Sequence, residues 1–171
     1  MAQLIKEREL AADEWIQPAA EAAATATTSP RDPDARLLLP LPDFLAAMAA
    51  GEPTHNRAVR LSPVDQDLEP LAPYLKQLPL VAISFASSGD GRGYTLGRWL
   101  RERYGYANDL RACGVIRVDQ MFFLARCGFN EFDLAEGEDP QLAIAQLERF
   151  SVAYQEGTPG ALTHPRRRYG R

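Results

Sequence analysis

Residues 89–94, Gly-Asp-Gly-Arg-Gly-Tyr, set three glycines at alternate positions between an apolar run, Leu80–Phe85, and an amphipathic run, Leu96–Tyr104. A glycine-bare loop that hands a strand to a helix presents backbone N–H groups at the positive end of the helix dipole, where an anion is favoured. Arg92 adds a guanidinium able to grip sulfate, phosphate or carboxylate with two donors. Asp90, Gly93 and Tyr94 complete this candidate anion- or substrate-binding loop. The same residues equally suit a plain turn in which Asp90 caps the helix. The spacing is not that of a Walker A loop, and G-x-G-x-x-G would need glycine where Tyr94 stands.

A second group is Arg111, Asp119 and Gln120. Asp119 suits a general base and Gln120 an orienting amide, so these two are the candidate catalytic residues, with Arg111 joining Arg92 as an anion ligand. The alternative is an Arg111–Asp119 or Arg92–Asp119 ion pair that only fixes the loops. Cys113 lies in an apolar pattern, and Cys127 lies at a helix C-terminus, the wrong end for lowering a thiol pKa. With two cysteines, no C-x-x-C pair and His55 and His164 far apart, a structural metal site is not expected. No cofactor is indicated: there is no Fe–S cysteine set, haem motif or convincing dinucleotide fingerprint.

The elements that must position these residues alternate. Apolar runs at 36–40, 58–62, 80–85, within 109–116 and at 129–134 are interleaved with helical patterns at 43–50, 65–78, 92–104, 117–127 and 139–150. Leu96, Trp99, Leu100 and Tyr104 share a helical face, with Gly105 where a left-handed C-cap belongs. Pro70 and Pro73 restrict the second helix. Asp139-Pro140 supplies an N-cap followed by proline at the first helical position. Trp99, Phe122, Phe123 and Phe129 are spaced for burial. The pattern predicts an α/β fold of repeated βα units with a mainly parallel sheet, doubly wound or like part of a barrel. In either, loops at the carboxyl ends of strands gather ligands, and 86–95 is such a loop.

A short N-terminal hairpin is expected over 1–16, with apolar patches at Leu4-Ile5 and Trp15-Ile16. Residues 17–35 hold no large apolar side chain and read as a flexible linker, 36–156 as the α/β domain, and 157–171, ending in an arginine-rich stretch, as a disordered tail. The chain of 171 residues carries a net charge of −4, which argues against nucleic acid or acidic lipid as a partner. Between Arg92 and Arg126, however, seven arginines face three acids, a local charge of +4. No run approaches the roughly 20 apolar residues of a membrane span, and a cytoplasmic location is expected, with no persistent disulfide.

The segments Asp90-Gly-Arg-Gly-Tyr-Thr-Leu-Gly-Arg-Trp-Leu-Arg-Glu-Arg-Tyr-Gly, Leu110-Arg-Ala-Cys-Gly and Asp119-Gln-Met-Phe-Phe-Leu-Ala-Arg-Cys-Gly-Phe resemble the bacterial domain-of-unknown-function family 934. The likeness is firm over 80–150 and weaker toward Leu4 and Trp15. Val115 stands where the family pattern has Asp, Gly97 where it has Ala, and Ser87-Ser88-Gly89 departs from its usual approach. The resemblance implies a gene-neighbour association with assimilatory sulfite reductase and the label of probable oxidoreductase in sulfite reduction. Two expectations follow. One is an accessory protein of sulfur assimilation that meets an anion or the sulfite-reducing machinery through an arginine-rich rim. The other is a small oxidoreductase, or another enzyme, acting on an anionic substrate at the Gly89–Tyr94 loop.

Overall fold

The computed structural model describes residues 3–18, 35–149 and 157–158. Most of the expected linker, 19–34, and nearly all of the expected tail, 159–171, lie outside the described residues. Seven strands form one sheet: β1 (Gln3–Lys6), β2 (Glu9–Ala11), β3 (Leu37–Pro40), β4 (Arg57–Leu61), β5 (Leu80–Phe85), β6 (Asp109–Gly114) and β7 (Glu131–Leu134). The helices are α1 (Leu41–Ala49), α2 (Arg92–Glu102), α3 (Met121–Arg126) and α4 (Pro140–Glu148). None is long and apolar enough to cross a membrane.

Strand order is β2-β1-β7-β6-β5-β4-β3, and β3 to β7 are mutually parallel. Within β3 to β7, neighbours in space are neighbours in chain order and the order never reverses, whereas β1 pairs with β7, the last strand in sequence. The connectivity is that of part of a barrel; a doubly wound sheet would contain a switch point. Right-handed crossovers repeated in one direction put every helix on one face. The packing agrees. Val59, Ile83, Phe85, Leu110 and Phe132 share a core with Phe44 of α1, Leu96 and Leu100 of α2, Leu124 of α3 and Leu147 of α4. The alternate residues Leu38, Ala58, Leu80, Ala82 and Cys113 form a separate cluster on the opposite face, packed against Trp15 and, among the described residues, no helix.

The hairpin closes through a two-residue turn at Glu7 and Arg8, both with positive φ (49° and 72°), and β1 pairs with β7. Its second strand is Glu9–Ala11; Trp15-Ile16, expected as the second patch, instead crosses the sheet, where Ile16 bridges Leu37 in parallel. Residues 65–78 make successive turns in place of a helix, with Tyr74 N–H donating to Leu71 O and Gln77 N–H to Tyr74 O. Pro70 and Pro73 lack the N–H groups a continuous helix requires. Leu68, Leu71, Leu75 and Leu78 are still buried, so this segment covers the sheet where a helix would. The helix expected at 117–127 is a 3₁₀ turn, Val118–Gln120, followed by α3. Of the aromatic residues expected in the core, Phe129 is buried and Trp99 and Phe122 are half-buried, whereas Phe123 is 51% exposed. It lies on the outer side of a short helix whose inner side is held by Met121 and Leu124.

Candidate functional site

The carboxyl end of β5 turns into α2 through residues 86–91. Asp90 N–H donates to Ser87 O at 3.3 Å, and Asp90 Oδ1 accepts from Arg92 N at 3.1 Å. This Asx turn sets the first turn of the helix, with Gly91 as the N-cap. Arg92 folds back, Nε to Asp90 Oδ1 at 3.0 Å and Nη2 to Asp90 Oδ2 at 2.8 Å. Hydrogen bonding from Arg92 holds the Asp90 carboxyl below its ordinary range. The charge at this helix N-terminus is thus supplied from within, by Asp90, and the arginine fitted to an external anion already holds a carboxylate. Gly93 is required by packing: a Cβ there would lie 2.6 Å from the Phe85 ring.

Gln120 joins two rim loops. Its Oε1 accepts from Arg117 N at 3.0 Å, and its Nε2 donates to Ser88 O at 3.1 Å and to Tyr94 Oη at 3.0 Å. Tyr94 in turn packs edge-on to Phe85 and against Phe123, with ring centroids 5.2 and 5.0 Å apart. Burial raises the Tyr94 phenol pKa, so its hydroxyl stays protonated. Asp119 is the exposed member of the pair: its carboxylate is 78% exposed and lies 3.8 Å from Arg117. Arg117 also reaches Glu138 at 3.7 Å, and these three line a cavity of about 310 Å³ beside α4. Val115 and Phe123 are exposed, at 41% and 51%. Val115 N–H ties to Phe85 O at 2.9 Å, which places it beside the loop.

Asp90, Arg92, Gly93, Tyr94, Asp119 and Gln120 therefore belong to one rim. Arg111 does not. It sits mid-strand in β6 on the face without helices, 2% exposed, its Nε 2.9 Å from Glu131 and its Nη1 3.0 Å from both Asp13 oxygens. Neither expected partner of Asp119, Arg111 or Arg92, pairs with it. Desolvation would lower the Arg111 pKa, but Glu131 and Asp13 outweigh it and hold the charge. Lys6 bridges Glu131, at 3.0 Å, and Asp109. These side chains line a second cavity of about 340 Å³ with Trp15 and His55. Cys113 and Cys127 are 5% and 4% exposed, and burial pushes both thiols up, away from the nucleophilic form.

Residues 58–164, well over half the chain and including every rim residue named, match the family described as "Bacterial protein of unknown function (DUF934)". The chain is a DUF934 protein. No curated protein matches it. In this DUF934 protein two of the three departures named above have local meaning. Val115, in place of Asp, adds an apolar side chain to the rim, and Gly97, in place of Ala, leaves the space filled by the Phe129 ring.

Several contributors were not singled out from sequence. Ser88 acts through its carbonyl, which no sequence pattern marks. Strand register sets Glu131 beside Arg111 and Lys6 beside Glu131, while Asp13 reaches Arg111 from the segment after β2 across 98 residues, and the readable signal was a set of charges within otherwise apolar strand patterns. Phe123 was masked by its neighbours Met121, Phe122 and Leu124, whose spacing reads as core.

Proposed function

We propose that this DUF934 protein is a non-catalytic accessory protein of assimilatory sulfite reduction, docking the sulfite-reducing machinery through the rim formed by the 86–94 loop, Val115–Gln120 and α3. The observation that carries this reading is the commitment of the rim's chemical groups. Gln120 bonds to backbone in two loops and donates to the Tyr94 hydroxyl, and Arg92 and Asp90 are closed on one another. What remains presented outward is Phe123 and Val115 together with the exposed ion-paired side chains Arg92, Arg117 and Asp119, an apolar and charged surface that suits a protein interface better than turnover. The tie to sulfite reduction comes from the family resemblance.

The test is titration of the purified protein into assimilatory sulfite reductase, followed by calorimetry. Saturable binding is expected, weakened at least about tenfold by Phe123→Asp and made weaker by added salt as Arg92 and Arg117 are screened. Absence of binding, or unchanged affinity in Phe123→Asp, would reject the reading.

A further inference from the structure

At the opposite, amino-terminal end of the parallel strands, the last turn of α2 carries Arg101. Its guanidinium joins the loops that enter β6 and β7. Nε donates to Gly128 O at 2.9 Å, Nη1 to Tyr106 O at 2.6 Å and Asn108 O at 2.7 Å, and Nη2 to Asn130 Oδ1 at 3.3 Å. Every acceptor is neutral. Four of the five guanidinium N–H groups are used, and the fifth, on Nη2, has no acceptor among the described residues. The Tyr106 ring lies 5.4 Å from the guanidinium carbon and helps hold the fork in place.

The guanidinium borders a cavity of about 430 Å³, shared with Gly105, Ala107, Gly128, Phe129 and Thr158. None of the described lining residues is acidic. The carboxylate whose charge reaches Arg101, Asp109, is itself bound by Lys6 and Asn130. Burial therefore dominates and pulls the Arg101 pKa below its ordinary value, the mark of a cation short of counter-charge. A half-buried charge held only by neutral acceptors is costly, and an anion entering the cavity offsets that cost. Access is open at Gly105, where nothing lies within 4 Å of a Cβ position. At Gly128 the Cβ position is only 2.6 Å from Arg101 Cγ, so the missing side chain is what lets the arginine stem reach the cavity.

We propose that the Arg101 cavity is a binding site for a small oxyanion, held by the free Nη2 N–H and the positive charge of the pre-set guanidinium. The site is separate from the rim and owes nothing to the docking reading. Carboxylates and tetrahedral or pyramidal sulfur and phosphorus oxyanions share the required chemistry, and the test separates them.

Amide resonances of Gly105, Ala107 and Gly128 are followed while acetate, phosphate, sulfate or sulfite is added up to about 50 mM at constant ionic strength, with chloride as the balancing salt. Saturable shifts at these amides with at least one of the four anions are expected, and the pattern of affinities identifies the class. Replacing Arg101 would also cut four loop contacts, so the decisive variant is Ala107→Asp, at an exposed loop position, with Ala107→Asn as its uncharged counterpart. The carboxylate should weaken the anion at least about tenfold, and the amide should leave it within about twofold. No saturable shift with any anion overturns the proposal. So does equal weakening by Asp and Asn, which would mean crowding and not charge.

Discussion

Arg111 and Glu131 stand directly opposite one another in neighbouring parallel strands, and their side chains meet at 2.9 Å with only 2% and 4% of their surfaces exposed. A buried pair of this kind is not a cheap source of stability, because desolvation offsets much of the attraction. Its value lies in geometry: Arg111 also holds Asp13 and so fastens the segment before Trp15 across the sheet.

Removing Arg111 leaves the buried Glu131 carboxylate with Lys6 alone and takes away the ion pair to Asp13. Arg111→Ala is expected to cost about 3–5 kcal/mol in urea unfolding. Arg111→Met combined with Glu131→Leu should recover most of that loss. A double variant no more stable than the single one would count against this account.

Two carboxylates on the same face carry opposite pH signs. Burial raises the Asp133 pKa above its ordinary 3.8, with Arg111 opposing in part. Its folded pKa exceeds the unfolded one, so ionisation opposes folding and stability is regained as pH falls through the folded pKa. For Asp109, burial would raise the pKa, but hydrogen bonds from Lys6 and Asn130 outweigh it and the folded pKa lies below 3.8. Its contribution is present above the unfolded value and lost as pH falls through the folded one. At about pH 7, Asp133→Asn should therefore melt above the parent and Asp109→Asn below it, both differences shrinking toward about pH 3. Parallel melting curves across that range would contradict the assignment.

Gln120, 9% exposed, spends its amide on three partners, one in each of two loops and one in α2. Gln120→Leu keeps the bulk and strands those partners, at a cost of about 1–3 kcal/mol. Hydrogen exchange at the amides of residues 90–93 should quicken in this variant while the β5 and β6 amides stay protected.

Gly97→Ala should be unfavourable although alanine is the better helix former by about 1 kcal/mol. The added methyl would sit 2.5 Å from Phe129 Cε2, and that ring is buried against Phe85 with centroids 6.0 Å apart. A net loss of about 1–2 kcal/mol by thermal unfolding is expected. A gain would show that the ring can swing aside.

Local signals were legible where one short stretch carries the whole cause. Asp139 caps α4 by accepting from Gln141 N at 2.8 Å, as Asp-Pro before an apolar run suggests, and Gly105 takes φ +63° just beyond α2. The alternation of strands and helices was legible for the same reason. Which strands are neighbours was not, because periodicity carries no information about order, and order decides that all helices lie on one face. Arg111 shows the consequence. In sequence it stands eight residues from Asp119, and in the sheet it points away from the rim toward Asp13. Residues 65–78 have the apolar spacing of a helix and are buried accordingly, but Pro70 and Pro73 deny them its hydrogen bonds.

The pairing of β1 with β7 has a consequence for biosynthesis. Strands β3 to β7 can each join the growing edge as they leave the ribosome, since each lies beside the one made just before it. The hairpin, made before all of them, has no sheet to join until β7 emerges. Its arrival is the last step of sheet assembly: it covers the β7 edge, brings Lys6 to Glu131, and sets Asp13 over Arg111. Until then the nascent chain carries an open strand edge and a buried-charge pair still facing water, and this is the interval in which a chaperone or a second nascent chain would compete for that edge.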